Sequence, residues 1–144
     1  CHMITSFHLE TGYLSNFSPS PLRVNGLSFD TLEHAYQAYK ATNSEDRESI
    51  RTSPTPGIAK RRGRRIKQNP TFQGRKVDIM LSLLRKKFSD PTLRAKLTST
   101  GSEELIEGNK WHESIWGNCH CPQCGKITGE NRLGKLLMQV RGEP

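Results

Sequence analysis

Glu33, Tyr36, Gln37 and Lys40 recur at i, i+3, i+4 and i+7, a spacing that puts four side chains on one face of a helix. A carboxylate and an amine on adjacent turns come within reach of a single substrate atom. The carboxylate can stabilise positive charge or pass a proton. An amine whose pKa is depressed can attack an electrophilic carbon and form a Schiff base. The same pattern on a solvated helix is an ion pair contributing about 0.3–0.5 kcal/mol, so spacing alone leaves both roles open.

The elements that must position these groups follow from local signals. Met3 to Leu9 reads as a short strand. Leu22-Arg23-Val24 and Leu27-Ser28-Phe29 flank Asn25-Gly26, a strong hairpin signal. Asp30 with Glu33 has capping-box spacing and predicts a helix from Thr31 through Ala41. Ser44 to Arg51 and Gly57 to Arg65 read as two further helices, separated by Pro54 and Pro56. Asn69-Pro70 opens the main core helix, with Val77, Met80, Leu81, Leu84 and Phe88 at helical spacing. Asp90-Pro91 opens a shorter one bearing Leu93 and Leu97. Leu105 to Glu107 reads as a strand and Asn109 to Glu130 as irregular, and Leu133, Leu136, Leu137 and Val140 mark a last helix. The expectation is one compact, mostly helical α+β domain over residues 3–144 with a small antiparallel sheet. Cys1 and His2 read as a cloning remnant before Met3.

With 144 residues, 33% hydrophobic and 25% charged, the chain is polar but patterned, which argues against disorder. The sequence shows neither an apolar run of membrane-spanning length nor a signal peptide. Apart from Cys1, the cysteines Cys119, Cys121 and Cys124 are clustered and odd in number, which points to a reducing cytosol. Cys121-Pro122-Gln123-Cys124-Gly125 is like one knuckle of a zinc ribbon, to which Cys119, His120 or His112 could add ligands. No second CxxC exists, so a free-thiol loop without metal is the reading adopted. The net charge of +8 is concentrated in Lys60, Arg61, Arg62, Arg64, Arg65 and Lys67. Such a run suits phosphate or nucleic acid, or is a solvated helix face.

Several segments, in order along the chain, resemble the NADAR superfamily. They are Leu14-Ser15-Asn16-Phe17-Ser18, Gly26 before Phe29, Thr31 to Ala38 with Lys40, and Ala59 to Arg64 containing Gly63-Arg64. Trp116-Gly117 and Gly129 to Met138, which includes Asn131-Arg132-Leu133-Gly134, complete the set. The resemblance implies hydrolysis of an N-glycosidic bond at a ribose carbon, without a cofactor. Some members of the family cleave phosphorylated ribosylamino-pyrimidine intermediates of riboflavin biosynthesis, and others remove ADP-ribose from guanine in nucleic acid. It maps the family's glutamate onto Glu33, as acid/base or electrostatic stabiliser, and its lysine onto Lys40, as imine-forming nucleophile.

A nucleotide-like ligand would meet Asn16 and Gln37, the flat faces of Phe17 and Trp116, backbone at Gly117, and the helix start at Asn131 with Gly134. Phe17 and Trp116 read equally as core, Asn131 as a plain helix cap, and Gly134 as a packing residue. Arg64 is the preferred phosphate ligand, and the remainder of Lys60–Lys67 could track DNA or RNA. Family members tend to carry aspartate where this chain has Glu113. ADP-ribose removal from guanine is the leading expectation for a cytoplasmic protein, because dense positive charge favours nucleic acid. The ribosylamino-pyrimidine phosphates are the alternative substrate, and a non-catalytic ADP-ribose or nucleic-acid reader is the alternative class.

Overall fold

The computed structural model describes residues 3–4, 7, 9–109, 116–119 and 129–143. They fall into two units, one of residues 16–87 and one drawn from residues 1–15 and 88–144.

The first unit opens with a hairpin, β2 (Leu22–Val24) and β3 (Leu27–Phe29), paired antiparallel with Leu22 opposite Phe29. Asn25 and Gly26 both take positive φ, 51° and 81°, as a two-residue hairpin turn requires. Four helices follow: α1 (Leu32–Ala38), α2 (Ser44–Arg51), α3 (Pro56–Arg65) and α4 (Phe72–Lys87). α1 is central, packing on α2, α3, α4 and both hairpin strands, and all seven of its residues are buried.

Local chemistry accounts for most boundaries and corrects several expectations. The cap of α1 is Thr31 and not Asp30: Thr31 Oγ1 accepts from the His34 N–H at 3.2 Å. His34 is held further by Thr31 Oγ1 at Nδ1 (2.8 Å) and the Ser53 carbonyl at Nε2 (2.9 Å). α1 also ends three residues early, because Lys40 N–H donates to Gln37 O and Ala41 N–H to Ala38 O, a tightened final turn. Asn43 caps α2 and Thr55 caps α3, with Pro56 at its first position. At α4, Asn69 Oδ1 accepts from the Thr71 N–H (3.0 Å), so Pro70 lies in a turn and the helix begins at Phe72. Its buried stripe is Phe72, Ile79, Met80, Leu83, Leu84 and Lys87; of the expected residues Met80 and Leu84 lie in it and Phe88 is buried just beyond, while Val77 and Leu81 are only half-buried at its edge.

The second unit holds β1 (Met3–Ile4), a 3-10 helix (Leu9–Leu14), α5 (Pro91–Ser99), β4 (Glu104–Leu105), β5 (Gly108–Asn109), β6 (Asn118–Cys119) and α6 (Arg132–Gly142). Of the expected first strand, Met3–Ile4 is strand and Leu9 is already helical. β1 pairs parallel with β4, and β5 parallel with β6, so β6 gives pairing within the stretch read as irregular. The expected strand at Leu105–Glu107 begins and ends earlier, at Glu104–Leu105. Asp90 caps α5 ahead of Pro91, as expected. Phe88 lies in this unit, edge-on to Tyr13 with ring centroids 6.5 Å apart. Among the described residues no helix is long and apolar enough to cross a membrane.

Candidate active site

Because α2, α3, α4 and the hairpin pack on α1, its polar residues are not a solvated face. Glu33 is 7% exposed and Gln37 2%. Gln37 Nε2 donates to Glu33 Oε2 at 3.2 Å. The Gln37 amide is seated against Gly63 of α3, where an added Cβ would overlap Gln37 Oε1 and lie 3.3 Å from Gln37 Cβ. A glycine at this point is therefore what lets α3 approach α1. The Glu33 N–H donates to the Asn16 carbonyl at 3.1 Å, which sets the Asn16 loop at the head of α1. Asn16 Nδ2 reaches Met80 Sδ at 3.6 Å. Asn16 Oδ1 and Gln37 Oε1 are buried without a hydrogen-bond partner among the described residues.

Lys40 follows α1 and is half-buried, its carbonyl accepting from the Asn69 N–H at 2.7 Å. Its Nζ stands 5.9 Å from the Tyr36 ring centroid and 5.6 Å from that of Phe72, two rings that meet edge-on. Burial pushes the Glu33 carboxyl pKa up, against the opposing pull of Gln37, Lys60, Lys40 and His34. Burial pushes the Lys40 amine down, and Lys60, Arg64 and Lys76 add to that while Glu33 opposes it. The acid is moved toward holding its proton and the amine toward losing one, a divergence suited to acid and nucleophile roles.

The basic run separates by orientation. Arg62 turns inward, donating to the Ser49 carbonyl at 2.7 Å and Ser53 Oγ at 3.2 Å. Lys60 and Arg64, one turn apart on α3, act on Lys40 together with Lys76 of α4. Lys76 was not apparent from the sequence, since it is far from the run and carries no local signal. Phe17 is 42% exposed, so it is not core.

Glu33, Lys40, Gln37, Asn16, Phe17 and Arg64 thus belong to one unit, and Trp116, Gly117, Asn131 and Gly134 to the other. There the Trp116 carbonyl accepts from the Leu133 N–H at 2.9 Å, and that of the buried Gly117 from the Asn131 N–H at 3.3 Å. Asn131, at φ 47°, makes no side-chain cap; its amide bridges the Leu105 carbonyl (2.9 Å) and the Glu107 N–H (3.0 Å). Gly134 lies against the Leu105 carbonyl. Glu113, and the candidate metal ligands His112, His120, Cys121 and Cys124, lie outside the described residues. Among the described residues no three His, Cys, Asp or Glu side chains are grouped to hold a metal.

A buried carboxyl group and a half-buried lysine with cations of α3 and α4 near it are groups able to support acid–base and covalent chemistry. The chain belongs to the NADAR domain family, whose profile matches residues 5–143. It is 37% identical over 135 residues to the N-glycosidase YbiA of Escherichia coli, covering 92% of this chain and 81% of that protein. It is 34% identical over 152 residues to the chloroplastic riboflavin biosynthesis protein PYRR of Zea mays, covering 92% of this chain and 23% of that protein. The NMR structure of E. coli YbiA superposes with a TM-score of 0.79 at 34% identity, covering 97% of this chain and 86% of that one.

Proposed function

We propose that the chain is an N-glycosidase hydrolysing a ribosyl C–N bond, with Glu33 as the acid and Lys40 as the nucleophile. The observation that carries this is a buried Glu33, held by Gln37 at 3.2 Å, with a half-buried Lys40 two turns on, in a chain similar to an N-glycosidase; burial pushes the carboxyl pKa up and the amine pKa down. Glu33, whose pKa burial pushes up, passes a proton to the ring oxygen and the C1′–O4′ bond opens. The Lys40 amine, once it has given up its proton, attacks C1′, and the base leaves with a proton as the C1′–N bond breaks. Water adds to the resulting imine, returning the amine and the sugar aldehyde, which recloses. Gln37 orients Glu33, and Asn16 offers an acceptor for a ribose hydroxyl. Phe17 supplies a face for the base, while Arg64, with Lys60 and Lys76, attracts phosphate. Substrate contacts by Glu113, Trp116, Gly117, Asn131 and Gly134 rest on the family resemblance.

For the substrate, the net charge of +8 and the exposed Arg61, Arg64, Arg65 and Lys67 favour ADP-ribose linked to guanine in nucleic acid. A ribosylamino-pyrimidine phosphate is the second reading, favoured by the name of the maize relative. The test is product release from DNA or RNA bearing guanine-linked ADP-ribose, and from the pyrimidine substrate, with borohydride added during turnover. The expected result is release abolished by Glu33→Gln and Lys40→Ala, and a sugar adduct mapped to Lys40. Release from neither substrate, or release that persists in Lys40→Ala, overturns the assignment.

A further inference from the structure

α1 has a second side. By helical spacing, Ala35, Ala38 and Tyr39 point away from Glu33, Gln37 and Lys40. They form part of a cavity of about 380 Å³, whose floor is the inner face of the hairpin, including Leu27 and Phe29. Its volume is at the small end of the range for small-molecule sites, roughly 300–1,000 Å³. Among the described residues two cations line it, the half-buried Arg47 of α2 and the exposed Arg75 of α4, and no carboxylate does. Among the described residues neither guanidinium is in a hydrogen bond or an ion pair. Arg51, by contrast, pairs with Glu48, and Arg62 donates to the Ser49 carbonyl. Asn69 and Tyr39 add polar groups at the same wall.

We propose that this cavity is a second ligand site, distinct from Glu33 and Lys40, which takes a phosphate-bearing small molecule with a planar or apolar body. Two guanidinium forks arriving from different helices suit the several oxygens of a phosphomonoester. The alanines of α1 leave room for a flat body above Leu27 and Phe29, and the volume suits something the size of a nucleoside monophosphate. The site does not depend on the N-glycosidase reading, since none of its side chains takes part in that chemistry.

The test titrates AMP, adenosine and inorganic phosphate separately into the full-length ¹⁵N-labelled protein, following backbone amide shifts. AMP should move the amides of Leu27, Ala38, Arg47 and Asn69 saturably, with adenosine and phosphate each binding roughly tenfold or more weakly. Arg47→Ala/Arg75→Ala should weaken AMP by about tenfold or more while retaining the wild-type melting curve. Glu33→Gln should bind AMP at these amides as the wild type does. AMP shifts confined to residues around Glu33 and Lys40, or no saturable shift, would overturn the proposal. So would phosphate or adenosine matching AMP, which needs no variant and stands even if the double substitution fails to fold.

Discussion

Gly63→Ala tests how the site is held. The new methyl would lie closer to Gln37 Oε1 than the 3.0 Å that real Cβ atoms keep, with Gln37 Cδ at 3.1 Å and Cβ at 3.3 Å. Gln37 is 2% exposed, so its amide has no solvent to turn into. Two effects oppose. Alanine is better than glycine inside a helix by about 1 kcal/mol. Overpacking costs roughly 1–3 kcal/mol, and losing the 3.2 Å Gln37–Glu33 hydrogen bond adds about 1 kcal/mol. The overlap dominates, leaving a net loss of roughly 1–3 kcal/mol and a Tm lower by roughly 4–12 °C. Glu33 loses a hydrogen bond that favours its charged form, so its pKa moves further up. The decisive assay is a double-mutant cycle by urea denaturation. In a Gln37→Ala background the amide overlap is gone and only the 3.3 Å contact with the Cβ of residue 37 remains, so Gly63→Ala should cost at least about 1 kcal/mol less there. The same cost in both backgrounds, within about 0.5 kcal/mol, would refute the claim that Gly63 exists to seat Gln37.

Lys60→Met should move the whole pH–rate profile to higher pH, because Lys60 lowers the pKa of both Glu33 and Lys40. A rate profile in which only one limb moves would separate those groups from catalysis. Gly134→Ala should cost roughly 1–3 kcal/mol in a thermal melt, since its Cβ meets the Leu105 backbone carbonyl and the Asn131 amide that ties α6 to β4; an unchanged Tm would show that this packing yields. Lys87 is buried on α4, donating to Ser18 Oγ at 3.2 Å, and burial lowers its pKa from 10.5 to about 7. Since the unfolded chain holds that proton more tightly, the penalty is full below pH 7 and fades as pH rises toward 10.5. Wild-type stability should gain up to about 1.4 kcal/mol per pH unit from this group across that window, and Lys87→Met should lack the slope. Parallel urea-derived slopes for the two proteins would contradict it.

What the sequence determined by itself is mostly what neighbouring residues decide. Asn25-Gly26 specifies a hairpin because both positions tolerate positive φ, and Asp90-Pro91 starts a helix through the conformation and hydrogen bonding of adjacent residues. The choice of Thr31 over Asp30 as the cap went beyond such signals, since both residues can accept from an N–H and packing settles which one does. The residue types of the site were legible too, as Glu33, Gln37 and Lys40 share a helical spacing. The tertiary structure alone decided that this spacing is not a surface ion pair. Desolvation of Glu33 and Lys40 comes from α2, α3, α4 and the hairpin closing over α1, and the cations around Lys40 come from two separate helices, α3 and α4. A pKa depends on excluded water and on charges brought near by folding, and neither is a property of local sequence. The same reason hid the width of the buried face of α4: periodicity marks Met80, Leu84 and Phe88, but only the packed partners determine that Lys87 lies within it.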